Sequence, residues 1–83
     1  MASIRVTVRL SGPLAERLGT RHAFELEQGA SVRELLDALA RDAGLEAGTA
    51  ESLAVVARGT IVPHGHALAD GDELDVLVPV AGG

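Results

Sequence analysis

A chain of 83 residues, with a mass of 8.5 kDa, is long enough for one small domain and excludes an enzyme built from several domains. Phe24 is the only aromatic residue, which disfavours nucleic-acid modules that stack bases on aromatic side chains. The absence of cysteine excludes disulfides, thiolate metal sites and a cysteine nucleophile.

The net charge of −5 is unevenly distributed along the chain. All seven basic residues are arginines that precede residue 59, whereas residues 59–83 contain four acidic residues and no basic one. An acidic segment repels nucleic-acid phosphates and anionic lipids, so we expect a protein partner, with no nucleic acid and no membrane. Residues 1–10 alternate between apolar and polar types, unlike a signal peptide, and we expect a cytoplasmic protein.

The first third of the chain predicts two strands joined by a short helix. Residues 4–10 alternate between apolar and polar side chains, as a strand with one buried face does. Pro13 and the pair Leu14 and Leu18 then predict one or two helical turns ending at Gly19. Residues 22–27 alternate again and predict a second strand.

The central segment predicts the main helix. Ser31 is placed to cap it, with Glu34 completing a capping box, and Gly44 is a typical C-terminal stop. Its apolar face at helical spacing consists of Val32, Leu35, Leu36, Leu39 and Ala43. Such a face requires a sheet to cover it.

The remaining elements are predicted to be short. In order, they are a loop or turn over 45–52, a strand over 53–57, a turn at 58–59, an edge strand over 60–62, a tight turn at 70–72 and a strand over 74–80. In the last strand, Leu74, Val76 and Val78 are predicted to point inward. The element order predicts a two-layer α+β domain, with one helix packed on one sheet.

The last residues, Ala81, Gly82 and Gly83, have almost no side chains. Glycine adopts nearly any backbone conformation and permits close approach, so this tail could enter a narrow channel and present its terminal carboxylate there. That carboxylate is ionised at neutral pH and could attack an activated phosphate to form an acyl-adenylate. Glycines at a terminus are also common as frayed chain, so both interpretations stay open at this point.

Four segments resemble the ubiquitin-like sulfur carriers of the MoaD/ThiS family. The run GDELDVLVPVAGG at 71–83 resembles the family's C-terminus, and PLAERLG at 13–19 and GASVRELLDAL at 29–39 resemble the molybdopterin-synthase small subunit. The segment IVPH at 61–64 is closer to the thiamine-pathway carrier. The resemblance implies a β-grasp (ubiquitin-like) fold with a mixed sheet of four to five strands on one main helix. It places one domain over residues 1–80 and a flexible tail over 81–83.

The resemblance also implies a function. A partner enzyme would use ATP to adenylate the Gly83 carboxylate and convert it to a thiocarboxylate, which would then donate sulfur to a biosynthetic enzyme. Gly82, Ala81 and Val80 would enter the partner's active site. The carrier itself would need no catalytic residue, metal or bound cofactor.

Four residues are predicted to dock partners: Leu77, Pro79, Val55 and Arg5. Scattered apolar residues and solvated charges on a surface are also normal, so docking is one of two open interpretations. The acids Asp70, Asp72, Glu73 and Asp75 could steer a basic activating enzyme or could serve only as turn and strand residues. His64 and His66 lack a third ligand nearby in sequence, which disfavours a metal site.

Two alternatives remain beside the sulfur carrier. The chain could be the non-catalytic small subunit of a stable complex such as molybdopterin synthase, or a ubiquitin-like modifier or interaction module. The product could be molybdopterin, a thiamine precursor, cysteine or another sulfur-containing metabolite.

Overall fold

The computed structural model describes residues 2–45 and 48–78. Eight elements follow one another: β1 (Ser3–Arg9), α1 (Gly12–Leu18), β2 (Arg21–Glu27), α2 (Val32–Ala43), α3 (Thr49–Ser52), β3 (Ala54–Ala57), β4 (Thr60–Val62) and β5 (Glu73–Leu77). The predicted order of strands and helices is confirmed. The short helix α3 is new, since the sequence predicted only a loop or turn there.

The five strands form one mixed sheet in the order β2-β1-β5-β3-β4. The central pair, β1 and β5, is parallel and places Arg9 opposite Asp75, while the other pairs are antiparallel. The chain therefore joins its first and last strands at the centre of the sheet. β5, the strand that precedes the C-terminal residues, pairs with β1 at residues 73–75 and with β3 at residues 74–77, so it is held along its whole length.

The core lies between the sheet and α2. Every residue of the predicted helix face is buried, which confirms that face. The strands contribute their inward side chains, chiefly Val6, Val8, Val55, Leu74 and Val76. Burying a Val or Leu side chain contributes ~1.5–3 kcal/mol, so these residues supply the main stabilisation of a domain without disulfides.

The N-terminus of α2 is capped differently from the predicted capping box. Ser31 occupies the cap position, but its side chain makes no capping hydrogen bond. Instead, the amides of Val32 and Arg33 donate to the backbone carbonyls of His66 and His64, at 2.9 and 2.8 Å. The loop after β4 thus satisfies the first helical amides, which otherwise have no partner.

The predicted helix stop at Gly44 is confirmed. Gly44 has φ +68°, in the left-handed region, and its amide donates to the carbonyls of Ala40 and Arg41. Leu45 donates to the Ala40 carbonyl at 2.9 Å, which completes the two-bond pattern of a Schellman motif.

The last strand ends earlier than predicted. β5 stops at Leu77, and Val78 lies outside the strand with 42% of its surface exposed. The prediction that Val78 points inward is therefore wrong, because the pairing with β3 ends at Leu77 opposite Ala54. Pro79 and Val80, the rest of the predicted strand, lie outside the described residues.

Candidate functional site

An apolar patch lies on the outer face of the sheet, the face opposite α2. We define the apolar patch as Ala54, Val56, Ile61 and Leu77. The register places Ile61 beside Val56 and Leu77 beside Ala54, so the four residues are neighbours on three adjacent strands. Ile61 is 70% exposed and Leu77 is 43% exposed, which makes them two of the three large apolar residues on the described surface. A patch of this kind is suited to a protein partner.

The apolar patch lies at the end of β5 from which the chain continues toward its C-terminus. A hollow of about 240 Å³ lies there, lined by Leu10, Ser11, Val56, Val76, Leu77 and the Arg9–Asp75 pair. The predicted tail residues Val80, Ala81, Gly82 and Gly83, and the predicted docking residue Pro79, lie outside the described residues. The described chain reaches Val78, immediately after the patch.

Val55 is not part of this surface. Its side chain is fully buried in the core, opposite Val76, so the prediction that it docks a partner is wrong. Successive strand residues point to opposite faces, and the neighbour Val56 points outward instead. Leu77 and Arg5 are exposed as predicted, and their docking role stays a prediction.

Two ion pairs cross the charged half of the outer face. The Arg9 guanidinium donates to both carboxylate oxygens of Asp75, at 2.7 and 3.2 Å. These hydrogen bonds and the charge of Asp75 raise the pKa of Arg9 above its usual value. Arg21 and Glu73 form a second, longer pair at 3.4 Å. Two of the four predicted steering acids are therefore already paired with arginines of this chain.

The other two acids hold the turn before β5. The Asp70 carboxylate accepts a hydrogen bond from the Arg5 amide, and the Asp72 carboxylate accepts one from the Ala69 amide, both at 2.8 Å. The amide of Gly71 also donates to the Arg5 carbonyl at 2.8 Å. These bonds fix the turn to β1, and the steering role of the acids stays a prediction.

His64 and His66, which the sequence disfavours as metal ligands, lie in the segment between β4 and β5. The His64 Nε2 atom lies 2.8 Å from the Leu53 carbonyl oxygen, and this contact is partly buried. Across residues 2–45 and 48–78, no three His, Asp or Glu side chains come together in a way that could hold a metal ion. In the same ranges, no helix is long and apolar enough to cross a membrane.

Sequence reasoning missed Ile61 and Val56 as surface residues. Ile61 lies in the predicted edge strand over 60–62, and Pro63 indicates the edge position but not the face on which Ile61 lies. Residues 53–57 are all apolar, so no apolar–polar alternation shows which side chains point inward. The pairing with β5 settles the question.

Solved structures show the fold. The chain is 30% identical to SAMP1, a small archaeal modifier protein from Haloferax volcanii, with a TM-score of 0.76 over 95% of this chain and 99% of that one. It is 24% identical to a protein assigned as molybdopterin converting factor subunit 1 from Pyrococcus furiosus, with a TM-score of 0.75 over 93% of this chain and 99% of that one. The ubiquitin of Caldiarchaeum subterraneum is 15% identical and has a TM-score of 0.71 over 99% of this chain and 100% of that one.

These likenesses confirm the ubiquitin-like β-grasp fold. No curated protein matches the sequence. A family model, described as the ThiS family, matches residues 8–83, which is nearly the whole chain and includes its last residue. On that match, the chain belongs to the ThiS family of small ubiquitin-like sulfur carrier proteins.

Proposed function

We propose that this protein carries sulfur on its C-terminal carboxylate. A Gly83 carboxylate oxygen attacks the α-phosphate of ATP in an activating enzyme, which forms an acyl-adenylate and releases pyrophosphate. A sulfur donor then displaces AMP, and the product is a Gly83 thiocarboxylate. The thiocarboxylate passes its sulfur to an accepting enzyme and returns to the carboxylate when water replaces the sulfur.

The observation that carries the proposal is the extent of the family match, which runs from residue 8 through Gly83. The terminal Gly82 and Gly83 thus belong to the matched segment and are not an addition to it. Among residues 2–45 and 48–78, β5 contributes Leu74 and Val76 to the buried core, and the chain continues from this strand toward Gly83. A packed β5 followed in sequence by two residues without side chains supports a division between a folded body and a reacting tail.

The apolar patch supports a docking role for the body. Gly82 and Gly83 have no side chains, so a partner obtains little binding energy from them beyond their backbone. Leu77 lies exposed on β5, the strand from which the tail continues, and Ile61 lies exposed on β4, on the far side of β3. A partner that covers the apolar patch would be positioned to receive the tail, and the Arg9–Asp75 pair would lie at the border of that contact.

Intact mass spectrometry tests the proposal. The native-ended protein is incubated with ATP, a sulfide source and a candidate adenylating enzyme of demonstrated activity. We expect a mass gain equal to one sulfur replacing one oxygen, localised to Gly83 and absent without ATP. A variant lacking Gly82 and Gly83 should show no gain while unfolding at the same temperature as the full chain.

An unmodified mass with several such enzymes, each active on its own carrier, would refute the carrier function. A large loss of stability in the shortened variant would show that the last two residues help to build the folded body. That result would contradict the proposed division between body and tail.

A protein-modifier function is the second candidate, and one observation favours it. SAMP1, at 30% identity, is named as a small archaeal modifier protein. The same activated carboxylate would then be attacked by a lysine amine of a target, which would form an isopeptide bond and release AMP. Adducts at target lysines in the same incubation, in place of the sulfur gain, would support this function.

The small-subunit alternative makes a separate prediction. The likeness to the molybdopterin converting factor subunit, at 24% identity, concerns the fold alone. In size-exclusion chromatography, a permanent subunit would elute in a complex with one large partner at a fixed ratio. A carrier that cycles between two enzymes would instead elute mainly alone.

A further inference from the structure

A second hollow lies at the other end of β5 from the apolar patch. It is a groove of about 630 Å³ between the turn that joins β3 to β4 and the segment that leads into β5. Arg58 and Gly59 line one side of it, and Asp72 and Glu73 line the other. The Arg9–Asp75 pair lines both this groove and the hollow beside the apolar patch.

The charged side chains around the groove differ in whether they already have a partner within this chain. Asp75 is paired with Arg9, Glu73 lies near Arg21, and Asp72 accepts the Ala69 amide. Arg58 is exposed, and within residues 2–45 and 48–78 no carboxylate pairs with its guanidinium. The groove therefore offers a partner a free guanidinium beside acids that already have partners.

Arg58 also occupies an unfavourable backbone position. It has φ +52° and is the only non-glycine residue with positive φ in the described ranges. Together with Gly59 at φ +78°, it forms a two-residue hairpin turn in which Ala57 pairs with Thr60. Turns with two positive φ angles strongly favour Asn-Gly, because asparagine and glycine tolerate the left-handed region better than arginine does. The side chain of Arg58 is thus kept at some loss of stability.

We propose that Arg58 determines specificity by pairing with a carboxylate of the activating enzyme when the body docks on that enzyme. The inference rests on the proposed function and adds a residue to it. A Gly-Gly tail without side chains cannot distinguish one carrier from another, so the folded body must do so. Arginine is suited to this role because its planar guanidinium binds a carboxylate through two hydrogen bonds. A non-optimal residue that faces a groove is the kind of position that function retains against stability.

The left-handed backbone at residue 58 allows a test that separates recognition from folding. The variant Arg58→Asn removes the guanidinium and improves the turn, so a loss of recognition cannot be caused by misfolding. Arg58→Lys keeps the charge but not the two-bond geometry. Arg41→Gln removes the same charge from an exposed position on α2, in the other layer, and controls for net charge.

The unfolding temperature of each protein is measured on one sample. A separate, folded sample of each protein is then used as substrate in adenylation by the activating enzyme. We expect Arg58→Asn to unfold about 2–6 °C above the wild type and to show a KM about three- to tenfold higher with kcat unchanged. Arg58→Lys should fall between the two in KM. Added salt should raise the KM of the wild type more than that of Arg58→Asn, since it screens the ion pair.

Four results would overturn the inference. They are an unchanged KM in Arg58→Asn, an equal rise in KM in Arg41→Gln, a fall of kcat alone, and an unfolding temperature of Arg58→Asn at or below that of the wild type. The first three arise with an active enzyme and leave the carrier function intact. If no enzyme adenylates the wild type, the carrier function fails and the role of Arg58 fails with it.

Discussion

Replacing two residues on opposite faces of the β3–β4 hairpin would separate docking from folding. Ile61→Thr removes the most exposed residue of the apolar patch while keeping a β-branched side chain suited to a strand. Val55→Ala shortens a fully buried side chain whose docking role the structure contradicts. We expect Ile61→Thr to weaken partner binding without loss of stability and Val55→Ala to do the reverse.

The expected loss of affinity in Ile61→Thr follows from the exposed fraction of the Ile61 side chain. Full burial of an Ile side chain is worth ~1.5–3 kcal/mol. Since Ile61 is 70% exposed, its burial by a partner would contribute about 1–2 kcal/mol, a five- to thirtyfold change in Kd. A surface substitution of this kind changes stability by less than about 0.5 kcal/mol.

Val55 requires a different calculation. Removing its two methyl groups from the core costs about 2–3 kcal/mol, because the cavity that remains closes only partly. For 83 residues, the total free energy of unfolding is expected to be ~4–12 kcal/mol. The unfolding temperature of Val55→Ala should therefore fall by roughly 10–20 °C.

Thermal unfolding followed by circular dichroism measures the stability of both variants. Titration calorimetry against the activating enzyme, at a temperature where each variant is folded, measures Kd. Wild-type affinity in Ile61→Thr would refute the assignment of the apolar patch as the docking face. Unchanged stability in Val55→Ala, combined with lost affinity, would show that the two faces of β3 had been exchanged.

Substitutions at three further positions test which contacts stabilise the folded body. Leu36→Asp places a charge between α2 and the sheet and should unfold the domain, so a folded and active variant in circular dichroism and adenylation would refute the assigned helix face. Gly44→Ala should lower the free energy of unfolding by about 1 kcal/mol in urea titrations, since alanine is strained at φ +68°; no change would show that α2 can end in another way. Asp70→Ala should cost about 1 kcal/mol by the same measurement and Asp70→Asn less, because asparagine keeps an oxygen that accepts the Arg5 amide; equal losses would mean that the charge matters more than the hydrogen bond.

Alternating and helical patterns predicted most of the fold because burial imposes them. Residues 4–10 and 32–43 carry apolar side chains at the spacing that one buried face requires, and the structure buries those faces. Gly44 was predictable for a local reason, since few other residues adopt its left-handed backbone at a helix end. The family resemblance was likewise carried by contiguous segments of sequence.

The features that could not be predicted depend on contacts between distant segments. The amides at the start of α2 are bound by carbonyls of His64 and His66, more than 30 residues later, and no local pattern announces such a bond. The outward face of β3 is hidden in a run of apolar residues and becomes defined only when Val55 pairs with Val76. Arg58 was predictable as part of a turn. Its place in a groove was not, because Asp72 and Glu73, which also line the groove, lie more than ten residues later in the chain.

The outer face of the sheet combines two kinds of contact along one strand. At the C-terminal end of β5 the apolar patch offers non-directional attachment, and at its start the groove offers the directional guanidinium of Arg58. The five residues of β5 are separated by four rises of ~3.3 Å, so its two ends lie about 13 Å apart, a distance that one docked protein surface spans easily. Apolar contact supplies most of the affinity of such surfaces, whereas a charged group determines which partner is accepted. Loss of Ile61 should therefore weaken every partner that docks on this face, while loss of Arg58 should weaken only a partner that presents the matching carboxylate.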